Sequence, residues 1–182
     1  MDTVELDSLE PREGERNTSA AIIRGVAAWF KSQGCRLEGF DAYTTSTVFK
    51  GSGLSSSAAF EVLLGNIFNE LFFGGQCTPA RIAQTGQYAE NVYFGKPSGL
   101  LDQMASSVGG MVTIDFQDNA SPVVERLDFD FSSAGHALCI IDSGADHADL
   151  TGEYAAVPQE LKEVCAYFGK SVLREVSEAD FF

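Results

Sequence analysis

Three observations predict an α+β fold: apolar residues recur at helical spacing in several segments, short β-branched and aromatic runs lie among them, and the order is helix, strand, three helical pieces, strands, helix. No repeat of solenoid period is present. After a polar start, "TSAAIIRGVAAWFKSQG" carries Ile22, Ile23, Val26, Ala27 and Phe30 on one helical face, with Thr18 or Ser19 as cap and Gly34 at the close. Residues 37 to 49, "LEGFDAYTTSTVF", are aromatic and β-branched and read as a strand or hairpin arm. The chain then enters "GSGLSSSAAF", after which Phe60, Leu63, Leu64, Ile67, Phe68 and Leu71 predict a helix ending near Gly74 and Gly75. "TPARIAQTGQYAENVYFG" predicts another, capped by Thr78 with Pro79 at its first position. "LLDQMASSVGG", behind the turn Pro97-Ser98-Gly99, reads as a short helix or a helical turn. "GMVTIDF", "VVERLDFDF" and "HALCIIDSG" read as strands, and "DLTGEYAAVPQELKEVCAYFG" as a helix in which Pro158 marks a kink or a fresh start.

The 182 residues are 45% hydrophobic, enough for one full domain or parts of two. A formal charge of −14, from 26 acidic and 12 basic residues, repels phosphate backbones and anionic lipid heads, so neither nucleic acid nor a membrane surface is expected as a partner. Cys35, Cys77, Cys139 and Cys165 form no C-x-x-C pair, and His136 and His147 add too little for a zinc site. Free thiols fit a reducing cytoplasm. The acidic opening "MDTVELDSLEPREGE" does not read as a signal peptide, and no apolar run has the length of a membrane span.

Three serines ahead of a helix, preceded by Gly51 and Gly53, invite a chemical reading. The first N–H groups of a helix lack intrahelical partners and sit at the positive end of its dipole, so a strand, glycine loop and helix make an anion site. Gly51, Ser52, Gly53 and the N–H groups through Ser56 can surround a phosphate, Ala58 and Ala59 keep the first turn narrow, and serine hydroxyls can ligate Mg²⁺. The plain alternative is a helix-capping loop. The Walker pattern and the protein-kinase motif set are both missing. Phosphoryl transfer also needs carboxylates, one holding metal and often one accepting the proton of the acceptor hydroxyl. Glu90 and Asp102 are the candidates; taken singly, each is an ordinary solvated or capping carboxylate, and the reading depends on their convergence with the loop.

Taken together and in this order, "GSGLSSSAAFEV", "AENVYFGKPSGLLDQMASSVGG" and "DSGADHADLTGEY" resemble the galactokinases of the GHMP small-molecule kinase superfamily, from about residue 17 to the end. The resemblance implies ATP-dependent phosphorylation of the anomeric hydroxyl of galactose, giving galactose 1-phosphate, with Mg²⁺. It implies a GHMP-kinase-like α+β fold, in which residues 1–112 form the C-terminal part of an N-terminal, ATP-binding domain of mixed sheet and helices. Residues 113–182 would begin a ferredoxin-like C-terminal domain. By resemblance Gly51, Ser52, Gly53, Leu54, Ser55, Ser56 and Ser57 bind phosphate, Ser57 and Glu90 hold the metal, and Asp102 is the catalytic base. Gly99, Asp102 and Tyr154 touch the sugar.

Phe49 stands where the family usually has proline, and Asp146 where relatives often have a basic or polar residue. The family's R-x-N-L-I-G-E-H-x-D-Y type segment and its C-terminal glycine-rich motif do not occur in the sequence. The resemblance therefore implies a middle segment of such a kinase, nearly inactive alone and prone to self-association through an unpaired sheet edge. Three other readings remain open: a kinase for N-acetylgalactosamine, fucose or arabinose; a galactokinase-like regulator that binds sugar and nucleotide without turnover; and a chain whose serines and aspartates only cap helices.

Overall fold

The computed structural model describes residues 1–48, 53–141 and 151–182, with the side chains of Thr151, Tyr154 and Ala155 outside that description. The chain divides into two compact units, Met1–Gly109 and Gly110–Phe182. In the first, α1 (Ser19–Ser32), α2 (Ser56–Phe72), α3 (Pro79–Tyr88) and α4 (Leu101–Val108) are joined by a wide π-helical turn, Ala89–Phe94, that continues α3. In the second, β1 (Met111–Asp115) pairs antiparallel with β2 (Val123–Leu127), followed by α5 (Thr151–Tyr167) and the short α6 (Glu178–Phe181). Helices with one antiparallel pair keep the α+β class.

Local signals placed the first helices well. Thr18 Oγ1 accepts from Ala21 N–H at 3.4 Å and Thr78 Oγ1 from Arg81 N–H at 3.3 Å, each satisfying a donor the helix itself cannot. Ile22, Val26, Ala27 and Phe30 of α1 are buried as their spacing requires, and Phe30 stacks on Phe68 with ring centroids 5.7 Å apart. Helix α2 departs from expectation: Leu63 and Leu71 are exposed, and the buried stripe is Ala58, Glu61, Val62, Gly65, Phe68 and Asn69, with Leu64 beside it. That stripe keeps the helical period but is rotated, because α2 is apolar around much of its circumference and its inward face includes a carboxylate, an amide and a glycine.

The glycine admits α3. A Cβ on Gly65 would lie 2.8 Å from Ile82 Cγ2, closer than carbon atoms approach. Asn69 then fixes the connection, its Oδ1 accepting from Cys77 N–H at 3.0 Å. The amino-terminal segment is strapped to this bundle by Arg24, which is buried on α1 and meets Glu15 through Nε and Nη2, each at 2.7 Å, while Nη1 donates to the Ser8 carbonyl. Tyr93 of the π-turn donates to the Leu9 carbonyl at 2.8 Å. The guanidinium holds the Glu15 carboxyl below its ordinary range.

Two expected strands, 37–49 and 136–144, are not formed over their described residues; Phe49 and residues 142–144 lie outside the described residues. Residues 35–46 run without regular structure, with Phe40 resting on Phe68 and Phe72 at 5.5 and 5.8 Å. Residues 136–141 are likewise irregular and exposed. Among the described residues β1 and β2 pair only with each other, and an extended segment with no ladder partner gains nothing from β propensity. Pro158 lies inside α5, which runs on as one helix rather than starting afresh. The four cysteines are free, and no helix among the described residues is long and apolar enough to cross a membrane.

Gly65→Ala tests the closest of these contacts. Alanine gains about 1 kcal/mol of helix propensity, but the stiff β-branched Ile82 must give way, which costs about 1–3 kcal/mol. Urea denaturation is expected to register a net loss of stability; a gain would mean that α2 and α3 do not meet at Gly65.

Candidate functional site

The site begins where the serine run becomes α2. Gly53 has φ +71° and Ser55 φ +52°, so the chain turns through the left-handed region twice in three residues, once at a side chain that rarely adopts it. Ser55 is the residue before the helix, yet its side chain makes no capping bond. A loop shaped only to cap α2 would use that hydroxyl. Gly53, Leu54 and Ser57 are exposed, and Ser55 and Ser56 half-buried. Gly51 and Ser52 lie outside the described residues, as do Phe49 and Asp146; Tyr154 falls within α5, but its side chain lies outside them as well.

One turn beyond Ser57, on the same face of α2, Glu61 is buried. Glu90 is buried on the π-turn and Gln103 on the first turn of α4. These three meet: Gln103 Nε2 donates to Glu61 Oε2 at 2.9 Å and to Glu90 Oε2 at 3.0 Å. Lys96 Nζ lies 3.6 Å from Glu90 Oε1. The cluster fits because α3 has Gly86 beside it, where a Cβ would come within 3.0 Å of Glu61 Cβ and 3.2 Å of its Oε2.

The neighbouring residues are joined as well. Asn91 Oδ1 accepts from Ser98 N–H at 2.7 Å and from Ser98 Oγ at 3.1 Å, and Gln87 Nε2 donates to the Ser98 carbonyl at 3.1 Å. The turn bearing Gly99 is thereby held against the residues around Glu90, and the space over the Gly99 Cα is open. Asp102, exposed, stands between that turn and Gln103 in the chain. Hydrogen bonds thus reach Glu90 itself and the chain neighbours of Gly99 and Asp102, Ser98 and Gln103. The sequence reading did not single out Glu61, Gln103, Asn91 or Ser98. A signal was present for Glu61, a carboxylate four residues after Ser57 inside an apolar helix, and for Gln103, an amide flanking the candidate base.

Oxygen donors of this kind suit Mg²⁺, which takes one or two carboxylates from the protein and keeps waters and phosphate oxygens besides. Glu90 and the Ser57 hydroxyl are donors of that type, and among the described residues no group of three or more His, Cys, Asp or Glu could hold a metal ion. The pocket is short of donors: Glu61 Oε1 and Gln103 Oε1 are buried with no hydrogen-bond partner. Burial, reinforced by the Glu90 charge, pushes the Glu61 carboxyl up to about 8. A proton on Glu61 then provides a donor where the pocket has two unmatched acceptors.

The linkage has a definite sign. Unfolded, Glu61 loses its proton near 4.5; folded, it keeps it to about 8. Its contribution to stability is full below the lower value and is lost as pH rises through the upper one. Glu61→Gln removes this titration, so its melting temperature should decline less than that of the wild type between about pH 5 and pH 8.5. Parallel declines would show that Glu61 is ionised in the folded chain throughout.

Residues 20–110 match the family model described as the GHMP kinases N terminal domain. The chain is 34% identical to the galactokinase of Streptomyces coelicolor over 182 residues, covering 98% of this chain and 46% of the relative. It is 32% identical to the galactokinase of Actinobacillus pleuropneumoniae serotype 3 over 181 residues, covering 97% and 45%. A third galactokinase, from Glaesserella parasuis, is 34% identical over 167 residues, covering 87% and 41%. The chain therefore spans about half the length of the curated relatives it matches. The family match covers half of the chain and includes α2, the π-turn and α4, the elements that bring Glu61, Glu90 and Gln103 together; the chain belongs to the GHMP kinases.

Proposed function

We propose that this chain carries the phosphate loop, metal carboxylate and base of an ATP-dependent sugar kinase acting on the anomeric hydroxyl of galactose. The observation that carries the reading is the junction of two motif blocks at Gln103: next to Asp102, it bonds Glu61 of the serine-loop helix and Glu90, while Asn91, next to Glu90, bonds Ser98, next to Gly99. Carboxylates that only cap or solvate helices have no reason to be linked in this way. The names of the curated relatives support galactose as the sugar.

In this reading the loop from Gly51 to Ser57 receives the phosphates of ATP, its N–H groups and the start of α2 facing the anion. Ser57 and Glu90 would hold Mg²⁺, which when bound neutralises phosphoryl oxygens. Asp102 accepts the proton of the sugar hydroxyl as that oxygen attacks the γ-phosphorus, and ADP leaves. Gly99 gives the sugar close access to backbone, and Tyr154 is assigned to the same substrate through its phenol. The kinase domains are proposed to divide at residues 112 and 113, and the protein to work in the cytoplasm.

Phosphoryl transfer also wants positive charge at the γ-phosphoryl, and Lys96 is the cation that the described residues bring to Glu90. The chain alone is accordingly proposed to turn over near background. The test is to graft it in place of the matched half of the Streptomyces coelicolor galactokinase and follow galactose-dependent ADP release beside N-acetylgalactosamine, fucose and arabinose. Asp102→Asn is expected to lower that rate by roughly 10²–10⁴-fold while nucleotide affinity stays within about twofold. Undiminished turnover in the Asn variant would remove Asp102 as base. A graft that binds sugar and nucleotide without turnover would favour the regulator.

A further inference from the structure

We infer that Gln103 and Glu61 are positioning residues for the metal carboxylate, Gln103 by holding Glu90 with one of its two amide hydrogens and Glu61 by taking the other and so fixing which way the amide faces. The inference rests on the kinase reading above. Its geometry is independent of that reading: a single Nε2 lies 2.9 Å from Glu61 Oε2 and 3.0 Å from Glu90 Oε2, and all three side chains are buried.

A primary amide has two N–H donors and one oxygen. With one hydrogen directed to Glu90 Oε2 and the other to Glu61 Oε2, whose retained proton then sits on the other oxygen, a 180° flip would set Gln103 Oε1 against two acceptors, so Glu61 and Glu90 together define one orientation. Glu61 is one turn beyond Ser57, while Gln103 directly follows Asp102. The amide therefore couples the helix that opens at the serine loop to the turn bearing Glu90 and to the helix bearing Asp102. Lys96 takes the remaining oxygen of Glu90 at 3.6 Å, leaving Gln103 as the fixed partner on the inner side. The second oxygen of Glu61, Oε1, is buried and unpartnered. A carboxylate kept in a helical core with one shared amide as its partner is costly to stability, and orienting Glu90 accounts for its presence.

The test is the Mg²⁺ dependence of ADP binding to this chain, by calorimetry, with melting temperature and the side-chain amide NMR signals of Gln103 measured on the same samples. Gln103→Met, similar in length without the amide, and Glu61→Leu are each expected to raise the Mg²⁺ midpoint by roughly 10–100-fold, the range for groups that orient a metal ligand. ADP affinity without Mg²⁺ should stay within about twofold. Glu61→Gln keeps an oxygen for the amide and is expected to stay near the wild-type midpoint. Should Gln103→Met fail to fold, Glu61→Leu against Glu61→Gln decides the same point.

An unchanged midpoint in folded Glu61→Leu, or equal effects of Glu61→Leu and Glu61→Gln, overturns the positioning role. Gln103 amide signals that exchange with water as fast as an exposed glutamine's overturn it as well. A wild-type chain that binds no ADP at any Mg²⁺ concentration, while the Gln103 amide signals stay protected, locates the failure in the kinase reading and takes the role down with it.

Discussion

Two carboxylates enclosed among helices with one amide between them impose the condition that much of the first unit meets. Each buried charge costs several kcal/mol unless bonded or neutralised, so the elements that supply partners must converge on one point. Helix α2 brings Glu61, the π-turn brings Glu90, α4 brings Gln103, and the chain just past the π-turn brings Lys96. The bare face of α3 at Gly86 gives the convergence room. A π-turn inserted where α3 would otherwise end is a familiar device at functional sites, since it re-aims side chains without ending the helix. Here it carries Glu90 and Tyr93 inward together.

Tyr93 joins this centre to the outer strap. Its hydroxyl bonds the Leu9 carbonyl, and Arg24 gathers the same amino-terminal segment through Glu15 and Ser8. A buried guanidinium whose donors meet a carboxylate in a fork and a carbonyl beside it is well satisfied, unlike the oxygens of Glu61 and Gln103 that lack partners. The contrast separates a part of the unit optimised for holding together from a part whose hydrogen bonding is left incomplete.

Much of this was legible in the sequence, for identifiable reasons. Thr18, Thr78 and Pro79 act within a few residues of themselves, so their signals survive without tertiary context. The apolar face of α1 was read correctly because its pattern is interrupted by few misleading positions. The face of α2 was not, because Leu63 and Leu71 satisfy a helical period while Glu61, Gly65 and Asn69 occupy the buried one. The runs at 37–49 and 136–141 have strand composition, but composition carries no information about a partner. At the site, Glu90, Gly99 and Asp102 stood out through their motifs. Glu61 and Gln103 did not, because a carboxylate and an amide 42 residues apart acquire their meaning only when helices bring them to 2.9 Å.

Trp29 is the only tryptophan in the chain, half-buried on α1 with the Phe30 ring edge-on at 4.9 Å and the Arg81 guanidinium 5.4 Å above its face. The cation comes from α3, so the indole's surroundings exist only while α1 and α3 are packed. The protein thereby contains its own optical gauge: ultraviolet emission excited at the indole follows the assembly of α1 and α3 in the first unit without any label.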